Sequence, residues 1–366
     1  MRIGINAFFL GQPTTGSGQY TRNLLEALAK ADPTNEYLLI SPGPTPSISN
    51  IQYPTSNRAK LCFEQVSFPR ACRHLDLAHV PYFASPLFPT TPTVVTVHDL
   101  IPLILPTYRG SLLVRLYTRL VAAAARKTQA IITVSQASKR DIVRCLHIPP
   151  ERVHVTYEAA RETFQPVEDE AQLAVIRQKY ALPGRYLLYL GGFDQRKNLS
   201  TLLRAFSMLV NRQPQARLVI AGKLPGRDSS LFPDPRRLVR ELRVEERVIF
   251  TGWVPEEDKP ALLSEAVAFV FPSLYEGFGL PAAEALACGT PVIASDRSSL
   301  PEVVGEGGVL VEPTDVEALA EAMEVLLVDD ALRAKLRQGA LAQAAKFSWK
   351  QTALETLAVY RKVVGC

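Results

Sequence analysis

The sequence predicts an α/β protein made of two doubly wound parallel-sheet domains, and three observations carry that prediction. The chain has 366 residues, more than one hydrophobic core ordinarily serves. Short apolar runs alternate with segments of helical periodicity, the mark of strand–helix units whose strands are buried on both faces. The alternation breaks at an acidic stretch, 159–170, and then starts again, dividing the chain into two similar halves. A single large wound sheet is the alternative, and the length speaks against it.

The elements follow in order. Met1-Arg2-Ile3-Gly4-Ile5-Asn6 reads as a first strand. Its apolar run is too short for a secretory signal and is followed by Gly11 and Pro13. Gly16-Ser17-Gly18-Gln19-Tyr20 reads as a loop leading into a helix over 20–30, with Leu24, Leu25 and Leu28 on one face. Strands are expected at 38–40, 77–80, 93–97, 130–134 and 153–157. Pro42, Pro44, Pro46 and Pro54 mark one long connection, and prolines cluster again from Pro81 to Pro106. The stretch 159–170, with Pro166, Glu168, Asp169 and Glu170, forms the boundary. The second series has strands at 186–190, 217–221, 248–251, 268–271 and 291–294, with a helix at 198–209.

Composition narrows the function classes. The net charge is +5, too small to make nucleic acid the default partner. The five cysteines are odd in number and contain no C-x-x-C pair, so neither a disulfide framework nor a zinc site is indicated, and a reducing cytoplasm is expected. No run of 18 apolar residues occurs, so no membrane span is expected.

Four constellations carry chemistry. The densest is Glu276-Gly277-Phe278-Gly279-Leu280-Pro281-Ala282-Ala283-Glu284, directly after an apolar strand. Glycines free the backbone and Pro281 suits the first helical position, which puts Glu284 in a first helical turn and Glu276 in the loop before it. Such a helix start suits a phosphate, and a carboxylate beside it suits ligand hydroxyls; Glu284 alone would equally well serve the helix dipole. The second is Gly191-Gly192-Phe193-Asp194-Gln195-Arg196-Lys197-Asn198. Two adjacent cations on a strand-to-helix loop can clamp a diphosphate, or form a solvated basic loop. The third, Gly16-Ser17-Gly18, permits close approach of a ligand. It is not G-x-G-x-x-G, because position 21 is Thr21, and no acidic residue closes the second strand. A nicotinamide dehydrogenase is therefore disfavoured. The fourth is Thr96-Val97-His98-Asp99-Leu100: His98, at a strand end, can donate to a sugar hydroxyl or a backbone carbonyl, and Asp99 can orient it or cap the next turn. His74, His79, His147 and His154 make no ligand spacing with it, so no metal site is expected.

On these residues the chain resembles family 4 glycosyltransferases of the GT-B fold, nearly end to end. Glu276 to Glu284 matches the family's E-x7-E motif, within a stretch completed by Ser273, Ala287, Gly289, Pro291 and Val292. Ile131-Ile132-Thr133-Val134-Ser135, with Ser138, resembles its N-domain strand-and-serine segment. The resemblance implies two Rossmann-like domains facing a central cleft: 1–168 on the acceptor side, 169–348 for the nucleotide sugar, and 349–366 as a helix crossing back to the first. It implies that Glu284 bonds ribose hydroxyls. Glu276 and the N–H groups of Phe278, Gly279 and Leu280 hold the sugar and a phosphate. Arg196 and Lys197 neutralise the diphosphate. Gly16 and Gly18 let a loop close over the donor, and His98 lies near the transferred sugar. Lys223 and 251–254, ending at Val254, border the base pocket. No cofactor or metal is implied. The expected activity is retaining transfer of a hexose from a nucleotide-diphosphate sugar, of the GDP-mannose or UDP-glucose type, to a saccharide or lipid-linked acceptor. A catalytically silent binding module and an epimerase or phosphorylase of the same fold are the alternatives. The stretch 98–102 resembles mannosyltransferases of polysaccharide assembly. Two departures stand out: Gly192 where many relatives carry Arg, and Tyr157-Glu158-Ala159-Ala160 where relatives often carry Asn-Gly.

The charge is unevenly spread. Residues 1–168 hold 17 basic and 11 acidic residues, a net of +6, and the remainder 24 and 25, a net of −1. No acidic residue lies between Asp99 and Asp141, where Arg109, Arg115, Arg119, Arg126, Lys127, Lys139 and Arg140 mix with Leu112, Leu113, Leu116, Tyr117, Leu120 and Val121. The segment 109–127 reads either as a basic amphipathic helix resting on an anionic membrane or as an ordinary helix with a solvated basic face. A cytoplasmic protein, peripheral on the inner face of the plasma membrane, is the corresponding expectation.

Overall fold

The computed structural model describes residues 1–12, 15–42 and 57–365; Pro13, Pro44, Pro46, Pro54 and Cys366 lie outside them. The chain forms two compact units, one of residues 1–158 with 348–366 and one of residues 159–347.

The first unit is a six-stranded parallel sheet. Its strands are β1 (Arg2–Asn6), β2 (Glu36–Ile40), β3 (Leu77–Val80), β4 (Thr93–Thr96), β5 (Ala130–Thr133) and β6 (Val153–Val155), in the order β2-β1-β3-β4-β5-β6. β3, β4 and β5 are buried along their whole length, which is why they read as unbroken apolar or β-branched runs. The helix Gly16–Ala31 starts a turn earlier than expected. Gly16 to Gln19 are its first turn and not a loop, because the Thr15 hydroxyl accepts from the Gly18 N–H at 3.1 Å and caps it. The helix Trp349–Val364 packs in this unit, with Thr352 Oγ1 donating to the Tyr157 carbonyl at 2.5 Å and the Tyr20 ring 5.9 Å from Trp349.

The helix Leu112–Ala125 is divided along its length. Thr118, Val121, Ala122, Ala124 and Ala125 are buried, whereas Leu112, Leu113 and Leu116 are 70%, 77% and 50% exposed. Among the described residues, no helix is long and apolar enough to cross a membrane.

The second unit has strands β7 (Leu187–Leu190), β8 (Leu218–Ala221), β9 (Val248–Gly252), β10 (Ala268–Phe271), β11 (Val292–Ser295) and β12 (Gly308–Val311), all parallel, in the order β12-β11-β10-β7-β8-β9. β12 is not foreseen from the sequence; it is an edge strand with only Val311 buried. The unit starts at Ala159 and not after residue 168. Val167 packs with Leu173, Ile176 and Ala261, and its N–H donates to Ser264 Oγ at 3.0 Å, so the acidic stretch belongs to the second core.

Candidate active site

The strand order of the second unit reverses between β7 and β10, since the chain runs outward through β8 and β9 before returning to the other side of β7. In wound sheets such a reversal opens a crevice at the carboxyl ends of the strands, where ligands bind. The loops that leave β7 and β10 there carry Arg196, Lys197 and Glu276.

These three side chains form one cluster. Lys197 Nζ lies 2.7 Å from Glu276 Oε1, and Arg196 Nη1 2.8 Å from Glu276 Oε2. Ser273 Oγ donates to Glu276 Oε1 at 2.5 Å, and Arg196 Nη1 donates to the Tyr275 carbonyl at 2.6 Å. Burial works against the Glu276 charge, but Lys197 and Arg196 hold its pKa below the ordinary glutamate value. The Lys197 ammonium also sits 4.8 Å from the centre of the Phe271 ring. The loop is therefore not a solvated basic segment. Lys197 is buried and Arg196 partly so, and both are internally paired, Arg196 reaching Asp194 as well at 3.3 Å.

Two features beyond the sequence reading hold this cluster. Asn198 adopts a left-handed backbone (φ +57°), which asparagine tolerates better than most residues. Its amide donates to the carbonyls of Pro272 at 3.1 Å and Pro313 at 2.6 Å, tying the β7 loop to the β10 loop. From the β11 loop, Ser298 Oγ accepts from the Glu276 N–H at 2.9 Å, and Ser299 Oγ donates to the carbonyls of Glu276 and Phe278.

The helix Leu280–Ala287 begins at Gly279, whose φ of +103° strains any side chain and where a Cβ would lie 2.8 Å from Leu300 Cδ2. Pro281 is its second residue, and Glu284 falls in the second turn and not the first. At this start the N–H groups of Ala282 and Ala283 donate to the Gly279 carbonyl at 2.9 and 3.2 Å, and Pro281 has no N–H to offer. Glu284 is buried, and among the described residues no hydrogen bond or ion pair reaches its carboxyl. Burial raises its pKa to about 7; Lys259 and Arg161 act downward and Glu256 upward. Phe278 is buried, with its ring edge-on to Phe347 at 5.5 Å. Lys223 is exposed on the loop after β8, and Val254 is buried after β9.

In the first unit, His98 follows β4. Its Nε2 donates to the Pro81 carbonyl at 3.1 Å, and its Nδ1 meets Glu158 Oε1 at 3.2 Å. Both partners are acceptors, which suits the imidazolium. Burial opposes that charge, but Glu158 and the Pro81 carbonyl raise the pKa above the ordinary histidine value. Glu158, and not Asp99, orients the ring; Asp99 caps the next turn by accepting from the Ile101 N–H at 3.0 Å. The signal for Glu158 lay in the segment that departs from the family pattern. His79, buried below, bonds Tyr360 and Thr96, and burial lowers its pKa to about 3. Gly18 is required by packing: a Cβ there would lie 2.1 Å from the Gln12 carbonyl oxygen, whereas Gly16 has open space around it. Among the described residues, no group of three or more His, Cys, Asp or Glu is placed to hold a metal.

Known proteins resemble this chain in sequence and in fold. The family described as glycosyl transferases group 1 matches residues 174–343, and glycosyltransferase family 4 matches residues 14–160. The chain is 35% identical over 270 residues to O-antigen chain mannosyltransferase B of Escherichia coli, covering 73% of this chain and 70% of that protein. Its fold is similar to sucrose-phosphate synthase from Thermosynechococcus elongatus (TM-score 0.77, 26% identity, covering 100% and 99% of the two chains). It is also similar to HepE from Anabaena solved with UDP-glucose (TM-score 0.70, 19% identity, covering 98% and 99%). With two six-stranded parallel sheets of the GT-B kind and this extent of matching sequence, the chain belongs to glycosyltransferase family 4.

Proposed function

We propose that the protein is a retaining hexosyltransferase that takes mannose from GDP-mannose and transfers it to a saccharide or lipid-linked acceptor in glycan assembly. The observation that carries the reading is the Arg196–Glu276–Lys197 cluster at the strand-order reversal of the second unit. Glu276 holds both cations in position before any ligand arrives, so little reorganisation is needed when the diphosphate leaves. Arg196 has further N–H donors and Lys197 further ammonium protons to offer the leaving group. The start of the helix Leu280–Ala287 adds a positive dipole end for a phosphate. These groups stand where a metal would otherwise be called on, and no metal or cofactor is part of the reading. Glu284, whose carboxyl has no hydrogen-bond or ion-pair partner among the described residues, suits the ribose hydroxyls, and Lys223 and Val254 suit the border of the base pocket. His98, oriented by Glu158 at 3.2 Å, serves the sugar.

The choice of mannose rests on the 35% identity to the E. coli mannosyltransferase; UDP-glucose, the ligand of HepE, is the second donor to test. The acceptor reading rests on the exposed Leu112, Leu113 and Leu116 beside Arg109, Arg115 and Arg119, which suit peripheral contact with an anionic inner leaflet.

A thermal-shift screen of nucleotide sugars tests the donor. A donor at a hundredfold its Kd adds about 2.7 kcal/mol of stability. GDP-mannose is expected to stabilise the protein, to release GDP with acceptor present and to yield an α-linked product by NMR. No stabilisation by any nucleotide sugar overturns the reading.

A further inference from the structure

The first unit carries an open cavity of about 510 Å³ that belongs to none of the chemistry above. It lies between the edge strand β6, the start of the helix Gln136–Leu146 and the helix Trp349–Val364. Its polar lining is Gln136, Lys139, His154, Thr156, Glu355 and Lys362, over an aliphatic floor that includes Val153 and Val359. Glu355 and Lys362 are seven residues apart on one helix and so share a face.

The charge in this cavity is unbalanced. Neither Lys139 nor Lys362 makes an ion pair among the described residues. Glu355, the only carboxylate on the lining, accepts a hydrogen bond from Gln351 at 2.9 Å. Both ammonium groups act on His154, whose pKa is lowered by burial first and then by Lys362 and Lys139. Two ammonium groups lining one solvent-filled space repel each other and disfavour the imidazolium form of His154, and an anion between them offsets both effects. The helix Gln136–Leu146 begins at the cavity and turns its positive dipole end toward it.

We propose that this cavity is a second ligand site, distinct from the donor cluster, which takes a phosphate monoester or diphosphate group between Lys139 and Lys362 with His154 as a third donor. Binding then couples to proton uptake. The anion favours the imidazolium, against the opposing effect of the two lysines, while Glu355 favours it in both states. The phosphate can be borne by a soluble molecule or by a lipid headgroup, since the recognising groups are the same.

The test follows the His154 imidazole by NMR in the full-length protein, with the resonance assigned by its loss in His154→Gln. Inorganic pyrophosphate is titrated at constant ionic strength set with chloride. A saturable response is expected, with the His154 titration midpoint rising by about one pH unit. The Lys139→Ala/Lys362→Ala variant is expected to lose at least about tenfold in affinity, or about 1.4 kcal/mol, whereas Lys139→Arg keeps the response. A parallel arm uses vesicles containing phosphatidic acid, whose headgroup is a phosphate monoester. A vesicle response that the double variant lacks assigns the phosphate to a lipid headgroup, and a response to pyrophosphate alone assigns it to a soluble phosphate. A midpoint unmoved by both probes overturns the proposal, as does a response of equal affinity in the double variant. Donor binding at Arg196 and Lys197 does not enter the result, because the readout is local to His154.

Discussion

Replacing Glu284 by glutamine should make the empty protein more stable and the donor complex weaker, and the stability gain should appear only at neutral and alkaline pH. The folded state raises the Glu284 pKa from 4.5 to about 7, chiefly through burial. Between those values the unfolded chain has released its proton while the folded chain keeps it. The unfolded state therefore binds fewer protons, and stability falls as pH rises through this window. A separation of about 2.5 pH units corresponds to about 3 kcal/mol, fully lost above pH 7. Glutamine is neutral throughout, so Glu284→Gln should match the wild type near pH 4.5 and exceed it by up to about 3 kcal/mol at pH 8. Urea denaturation at the two pH values measures the difference, and calorimetry with the nucleotide sugar measures the other half. Losing a charged hydrogen-bond acceptor costs about 1.5 kcal/mol, near tenfold in donor affinity. A stability difference that is the same at both pH values would refute the reasoning, because a neutral-to-neutral replacement has no pH dependence.

Other outcomes follow from the same structure. Lys197→Ala should lower turnover at least about tenfold, about 1.4 kcal/mol of barrier; wild-type turnover in that variant would remove Lys197 from the diphosphate side. Gly18→Ala forces a Cβ onto the Gln12 carbonyl at 2.1 Å and should destabilise the first unit by about 1–3 kcal/mol, read as a lowered thermal midpoint. Leu112→Ser with Leu113→Ser should weaken sedimentation with anionic vesicles at least about tenfold, since each leucine is worth roughly 1.5 kcal/mol or more on burial. Absence of wild-type binding to such vesicles would rule out the membrane contact.

The inner strands of both sheets were legible because they are buried on both faces. Leu77–Val80 and Ala268–Phe271 were located to the residue, each a four-residue run of complete burial. β12 escaped because its apolar run is only Val309-Leu310-Val311 and follows Gly305, Gly307 and Gly308, which read as a turn. The first turn of the helix Gly16–Ala31 escaped because glycine's low helix propensity argued for a loop, and the Thr15 cap outweighed it. Arg196, Lys197 and Glu276 could be singled out because each lies directly after an apolar strand, where wound sheets bind ligands. Their mutual pairing could not be read, since it depends on β7 and β10 being neighbours despite about eighty intervening residues. The same holds for Ser298 and Ser299, which reach Glu276 from the β11 loop, and for Glu158, whose partner His98 is 60 residues earlier.

The helix Trp349–Val364 has a consequence for how the protein is made. The first unit needs residues 348–366, and Tyr360 from that helix bonds the otherwise buried His79 at 2.6 Å. On the ribosome those residues emerge only after the whole of 159–347 has been synthesised. The second unit, contiguous in the chain, can close its core during translation. The first must wait with Tyr20 and His79 uncovered until the last helix arrives. Truncation within 349–364 should thus cripple the unit that begins the chain and spare the one adjacent to the cut, an inversion of the usual relation between a nascent chain's order of synthesis and its order of folding.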